Sequence, residues 1–148
     1  GLPVDIRRCF SLIGAGISQR DLVLGHFINA YMNGKQIDVY NGQSVRTYMY
    51  MADMVVWLLR ILMNNPGNIY NVGAFEPITI MDLAHKIGER FYKRHAIIEH
   101  VSKPDPRPNY VPRMLQFAFE DLGVNVYTEL DEAIDKTIEW ERKYENCS

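Results

Sequence analysis

Fourteen residues constrain this chain more than any others. From Tyr40 to Asp53 it reads Tyr-Asn-Gly-Gln-Ser-Val-Arg-Thr-Tyr-Met-Tyr-Met-Ala-Asp. Asn41-Gly42 is a hairpin-type turn signal. The apolar and aromatic run from Val45 to Tyr50 reads as a strand. Asp53 falls in the opening turn of a helix, where a carboxylate favours the dipole. Strand end, tight turn, strand and helix start thus follow one another with no room for a long element. A chain built this way sets short strands beside helices, so its class is α/β or α+β. Arg46 and Tyr48 stand two apart on the second strand and share a face. The arginine fork matches phosphate oxygens, and the tyrosine offers a ring, so the pair suits a phosphorylated, ring-bearing ligand. The same two residues also fit a plain reading, with Arg46 on a surface carboxylate and Tyr48 in the core.

The remaining chain repeats the mixture. Val4 to Ile13 is a strand running into Gly14-Ala-Gly16. A Gly-x-Gly after a strand invites a dinucleotide fingerprint, but position 19 is Gln19 and that reading fails. Leu22 to Asn33 has helical spacing and stops at Asn33-Gly34. Ile37 to Tyr40 is a short strand. The helix opened by Asp53 runs to about Met63, with Met54, Trp57, Leu58, Ile61 and Leu62 as its core stripe. Asn68 to Val72 is a strand. Thr79 and Asp82 open a further helix through a capping-box-like pair, and it runs to about Tyr92 with Ile80, Leu83, Ala84 and Ile87 inward. Ala96 to Val101 is a strand. Ser102 to Pro112 carries four prolines and Arg107 and reads as a long irregular loop, the kind often tied to function. Helices over Arg113 to Leu122 and Leu130 to Tyr144 close the chain, giving about five helices.

The totals exclude several classes. A chain of 148 residues is expected to form one domain with a real core. A net charge of −2 gives no reason to expect nucleic acid or an anionic membrane. No apolar run reaches membrane-spanning length, and the first residues do not read as a signal peptide. Cys9 and Cys147 are too few for a disulfide framework, so a reducing, cytoplasmic setting is expected. The chain opens at Gly1 directly on strand-like residues, which marks it as a possible piece of something longer. His26, His85, His95 and His100 show no ligand spacing, so no metal is assigned. Ser11 and Ser18 lack a nucleophile motif, and Gly-x-x-x-x-Gly-Lys does not occur, so no catalytic residue is assigned. Arg46 on a strand and Arg107 on the proline-rich loop can converge on one pyrophosphate; alternatively Arg107 pairs with Asp105.

The order of the motifs resembles a known family along nearly the whole chain. Arg8-Cys-Phe-Ser-Leu-Ile-Gly14, Phe27-Ile-x-x-Tyr-x-x-Gly34-Lys-x-Ile37, the Tyr40 to Asp53 stretch, Tyr70-Asn-Val-Gly73 with Ile78-Thr79-Ile80, and Leu122-Gly123 with Leu130-Asp-Glu-Ala-Ile134 and Thr137-Ile-Glu-Trp140 carry it. In this order they are similar to the C-terminal part of the NAD-dependent epimerase/dehydratases, extended short-chain dehydrogenase/reductases that act on nucleotide sugars.

The resemblance implies a small substrate domain lacking most of the Rossmann sheet. Residues 1–18 would be the last strand and loop of a truncated Rossmann-type domain, and 19–148 the nucleotide-sugar-binding domain. It implies that Arg46 and Arg107 hold the diphosphate, that Val39 and Tyr40 lie beside base and ribose, and that Ser11 faces the substrate; Tyr48, on the Arg46 face, is taken as substrate-binding from that placement. His26 stands where the family usually has a substrate-touching Asn, and Ser11 also replaces an Asn. The nucleotide-diphosphate sugar is the implied partner, together with the missing Rossmann half and a homodimer in the full-length enzyme. NAD(P) would be bound mainly by that missing half, with none held by this chain. The implied role is sugar-nucleotide modification for surface polysaccharide biosynthesis, with this chain inactive alone. A non-catalytic nucleotide-binding or protein-interaction module on the same fold is the alternative, and a complete small enzyme with an unrecognised site is a third.

Overall fold

The computed structural model of the protein describes residues 6–17, 22–64, 67–91, 97–100 and 109–144. In chain order the elements are β1 (Ile6–Cys9), β2 (Leu12–Ile13), α1 (Val23–Met32), β3 (Ile37–Tyr40), β4 (Val45–Arg46), β5 (Met49–Tyr50), α2 (Met51–Met63), β6 (Ile69–Val72), β7 (Ile78–Thr79), α3 (Ile80–Gly88), β8 (Ile97–His100), β9 (Asn109–Tyr110), α4 (Leu115–Leu122) and α5 (Leu130–Tyr144). Three parallel pairs, β1–β6, β2–β5 and β3–β8, stand beside a three-stranded sheet ordered β7-β4-β9. Five helices with short strands in small sheets make the class α/β, as the sequence indicates.

Several expectations need correction. The strand read from Val4 to Ile13 is broken at Phe10 and Ser11, because the chain changes partner there. Phe10 N–H still donates to the Val72 carbonyl at 2.9 Å, and the Ser11 carbonyl already accepts from Met49 N–H at 3.0 Å. The Asn41-Gly42 turn forms, with Ser44 N–H donating to the Asn41 carbonyl at 2.9 Å and Asn41 at φ 54°. It is not a hairpin: β3 pairs with β8, whereas β4 pairs with β7 and β9. The turn carries the chain from one sheet to another. The strand read over Val45 to Tyr50 is likewise split into β4 and β5, which serve different sheets. Within the proline-rich stretch, residues 102–108 lie outside the described residues, and Asn109–Tyr110 form an unforeseen strand beside β4.

Two apolar clusters form the core. One gathers Phe27, Ile28 and Tyr31 of α1, Ile37 and Val39 of β3, Leu83, Ala84 and Ile87 of α3, and Leu130, Ile134 and Ile138 of α5. The other joins Trp57 and Ile61 of α2, Tyr70 and Val72 of β6, and Leu115, Ala118 and Leu122 of α4. Each fully buried aliphatic contributes about 1.5–3 kcal/mol. α3 starts as the capping residues dictate: Thr79 Oγ1 accepts from Asp82 N–H at 3.0 Å. α3 is tied to α5 by Lys86 Nζ on Asp131 at 2.6 Å and Arg90 Nε on Asp135 at 2.8 Å.

Asp53 does more than favour a helix dipole. It is buried, and its carboxylate accepts from Tyr127 N–H at 2.9 Å, Thr128 N–H at 2.8 Å and the Thr128 hydroxyl at 3.0 Å. It pins the start of α2, in the second cluster, to the segment leading into α5, in the first.

The predicted α2 stripe is right at Trp57 and Ile61 and wrong at Leu62, which is 68% exposed. Val55, Leu59 and Met63 are exposed with it, so α2 presents an apolar outer face. Ile6 and Ile69, paired neighbours on β1 and β6, are also exposed. No described helix is long and apolar enough to cross a membrane.

Asp53→Ala leaves the buried N–H and hydroxyl of Thr128 and the half-buried N–H of Tyr127 without their acceptor. The expected loss is about 3 kcal/mol, read as a lower urea midpoint at unchanged slope. Asp53→Asn keeps one acceptor oxygen and should lose about half as much.

Candidate functional site

The Tyr40 to Tyr48 stretch is held open by its neighbours. α3 has unsatisfied N–H groups at its start, as every helix does. Ile80 N–H donates to the Ser44 carbonyl and Met81 N–H to the Gly42 carbonyl, both at 3.0 Å. The turn is thereby fixed to the helix N-terminus. A Cβ at Gly42 would meet Glu99 Oε1 at 2.5 Å and Met81 Cε at 3.3 Å, the movable ends of two side chains that would have to shift.

This anchored stretch forms one wall of a cavity of about 510 Å³. Tyr40, Asn41, Ser44, Arg46 and Tyr48 line that wall, Phe10, Ser11 and Leu12 come from the β1–β2 link, Leu22, Val23 and Leu24 from the start of α1, and Ile80 from α3. Its size suits a small organic ligand, and its mostly apolar lining with a few polar groups is the usual make-up of such sites. Arg46 is half-buried on β4, with Ile78 and Tyr110 as its neighbours across the sheet. Its Nη1 donates to the Val45 carbonyl at 2.9 Å, which orients the guanidinium.

Tyr48 is 8% exposed. Burial pushes its hydroxyl up to about 12, and the nearby Arg46 charge only partly offsets this. Tyr48 is therefore a neutral donor near neutral pH, unsuited to act as a base. At the open end, Tyr40 stacks on His100 with ring centroids 4.7 Å apart and planes 14° apart. His100 Nε2 lies 2.7 Å from Asp38 Oδ1. The hydrogen bond from His100, aided by one from Gln36, holds the Asp38 carboxyl below its usual range.

Of the residues singled out in the sequence, Ser11, Tyr40, Arg46 and Tyr48 meet at this cavity. Val39 is fully buried in the first core cluster and is not among the lining residues. His26 is exposed on α1 and also outside the lining. Arg107 lies outside the described residues. Sequence reasoning missed Phe10, Ser44 and the apolar pair Leu22–Val23, which the helical stripe placed inward. The available signal was position: both precede the first core residue of α1, at its open end. Among the described residues no three His, Cys, Asp or Glu side chains cluster as metal ligands.

Known proteins share this organisation. The profile described as "NAD dependent epimerase/dehydratase family" matches residues 1–73. The chain is 26% identical to UDP-glucuronic acid decarboxylase 1 of Xenopus tropicalis over 145 residues, which covers 97% of this chain and 34% of the relative. It is 28% identical to dTDP-D-glucose 4,6-dehydratase of Mus musculus over 148 residues, covering 95% and 41%. The fold is similar to that of UDP-glucose 4-epimerase from Thermotoga maritima, solved with UDP-glucose, at TM-score 0.85 and 21% identity, over 97% of this chain and 47% of that one. The chain thus spans well under half the length of these curated relatives.

Tyr48 makes a pH-dependent contribution whose sign is fixed. Its proton is bound more tightly in the folded chain than in the unfolded one, where tyrosine titrates near 10. Stability from this source is fully present below about pH 10 and is lost as pH rises toward 12, by up to about 3 kcal/mol. Urea unfolding at pH 8, 10 and 11 should show Tyr48→Phe losing less stability than wild type over that interval.

Proposed function

On the premise that this chain carries a region of the NAD-dependent epimerase/dehydratase family, we propose that its cavity binds a nucleoside-diphosphate sugar as the substrate-binding part of a sugar-modifying enzyme. One observation carries the reading: Arg46 lines a cavity of about 510 Å³ together with the exposed Tyr40 and the buried Tyr48. A diphosphate needs a cation with directed donors, a base needs a ring to lie against, and a sugar needs hydroxyl partners such as Ser11 and Ser44. Arg46 would take the diphosphate, with Arg107 as its proposed second cation. Tyr40 would take the base side, together with the backbone at Val39. Tyr48 and Ser11 would face the sugar side, and His26 a more distant edge.

NAD(P) is assigned elsewhere. The Gly14–Gly16 turn does not fit a dinucleotide cradle: a Cβ on Gly14 would meet Met51 Cβ of α2 at 2.9 Å, so the absence of a side chain there lets α2 pack close. No hydride step is derived from these residues. In the proposed enzyme a further α/β segment binds NAD(P), and it packs on the apolar face formed by Ile6, Ile69 and the outer side of α2. Support comes from β1, which has a ladder partner on one side only among the described residues. Parallel strands are normally covered on both faces and flanked by others. Residues 1–18 would then complete that segment and 19–148 form the substrate domain. A reducing, cytoplasmic setting accords with Cys9, which is a free thiol.

Titration with UDP-glucose, UDP-glucuronic acid and dTDP-glucose tests the reading. At least one should raise the melting temperature, and Arg46→Ala should weaken that ligand by about tenfold to a hundredfold. No shift with any of the three would favour a protein-interaction module that uses the exposed apolar faces instead.

A further inference from the structure

We propose that His100 is a positioning residue for the base end of the ligand, holding Tyr40 as one wall of that subsite. The proposal rests on the nucleotide-sugar reading and adds a residue to it. The parallel register of β3 and β8 puts Tyr40 directly opposite His100. Strand alternation does the rest. Ile37 and Val39 point into the core, so Asp38 and Tyr40 share the opposite face. On that face the imidazole is held twice, by its face against the Tyr40 ring and by its Nε2 on Asp38. Asp38 is itself steadied by Gln36 Nε2, 3.2 Å from the same oxygen.

The consequence lies in Tyr40. Its ring is 58% exposed at the rim of the cavity. A ring that exposed would ordinarily sample several rotamers, and ordering it on binding costs affinity. Stacking on an anchored imidazole settles the rotamer beforehand and leaves the outer part of the ring for a planar base. Asp38, His100 and Tyr40 thus form a chain in which a carboxylate on one strand fixes a ring on the next, and that ring fixes the ligand wall.

Calorimetric titration with the tighter of UDP-glucose and dTDP-glucose tests this. Tyr40→Ala should lose about tenfold or more, the usual effect of removing a stacking ring. His100→Ala should lose about tenfold. His100→Phe keeps a ring under Tyr40, so affinity should return to within about threefold of wild type. Wild-type affinity in His100→Ala would overturn the proposal, and if Arg46→Ala still lost binding, the nucleotide-sugar reading would survive. Failure of His100→Phe to restore binding in a variant with a normal melting temperature would overturn it too. Absence of wild-type binding would sink the reading and the inference together.

Discussion

The structure depends on one buried carboxylate. Asp53 sits where the chain leaves the strand that follows Arg46 and enters α2, and it accepts three hydrogen bonds from Tyr127 and Thr128. α2 belongs to the cluster around Trp57, and α5, which follows Thr128, to the cluster around Ile134. Neither cluster fixes the other by apolar contact alone, because hydrophobic burial has no direction. Directed bonds to a buried charge do have one.

The cavity wall shows how an irregular stretch becomes a rigid one. Among the described residues, β4 is two residues long and β5 two residues long, too short to be stable alone. They are held because the turn before them satisfies the N-terminal amides of α3 and because β7 and β9 flank β4 on both sides. Binding residues on a loop-like segment gain precision only when the scaffold holds the backbone. Arg46 and Tyr48 have that support, and Tyr40 obtains it from His100.

Much of this was legible in the amino-acid sequence. Helical spacing located α1, α2 and α5, and Thr79 with Asp82 marked the start of α3, because those signals are local. Arg46 and Tyr48 stand out as an arginine and a ring on one strand face, Tyr40 and Ser11 through the family resemblance, and the four line one cavity. What was not legible is long-range. Which strand pairs with which is decided by partners far away in the chain, so Asn41-Gly42 looked like a hairpin and Phe10-Ser11 like mid-strand. The role of Asp53 was hidden for the same reason, since its acceptors serve donors more than seventy residues on. Val39, placed in the site by the family resemblance, has its side chain in the core, as strand alternation dictates.

Everything proposed for this chain turns on the anchored Tyr40 to Tyr48 stretch being a ligand wall. Backbone amide chemical shifts of the labelled chain, followed during titration with UDP-glucose, test it most directly. Saturable shifts are expected at Ser11, Tyr40, Ser44, Arg46 and Tyr48, with α5 unmoved. Saturable shifts confined to the outer face of α2 or to the β1–β6 pair, with that stretch unchanged, would contradict it.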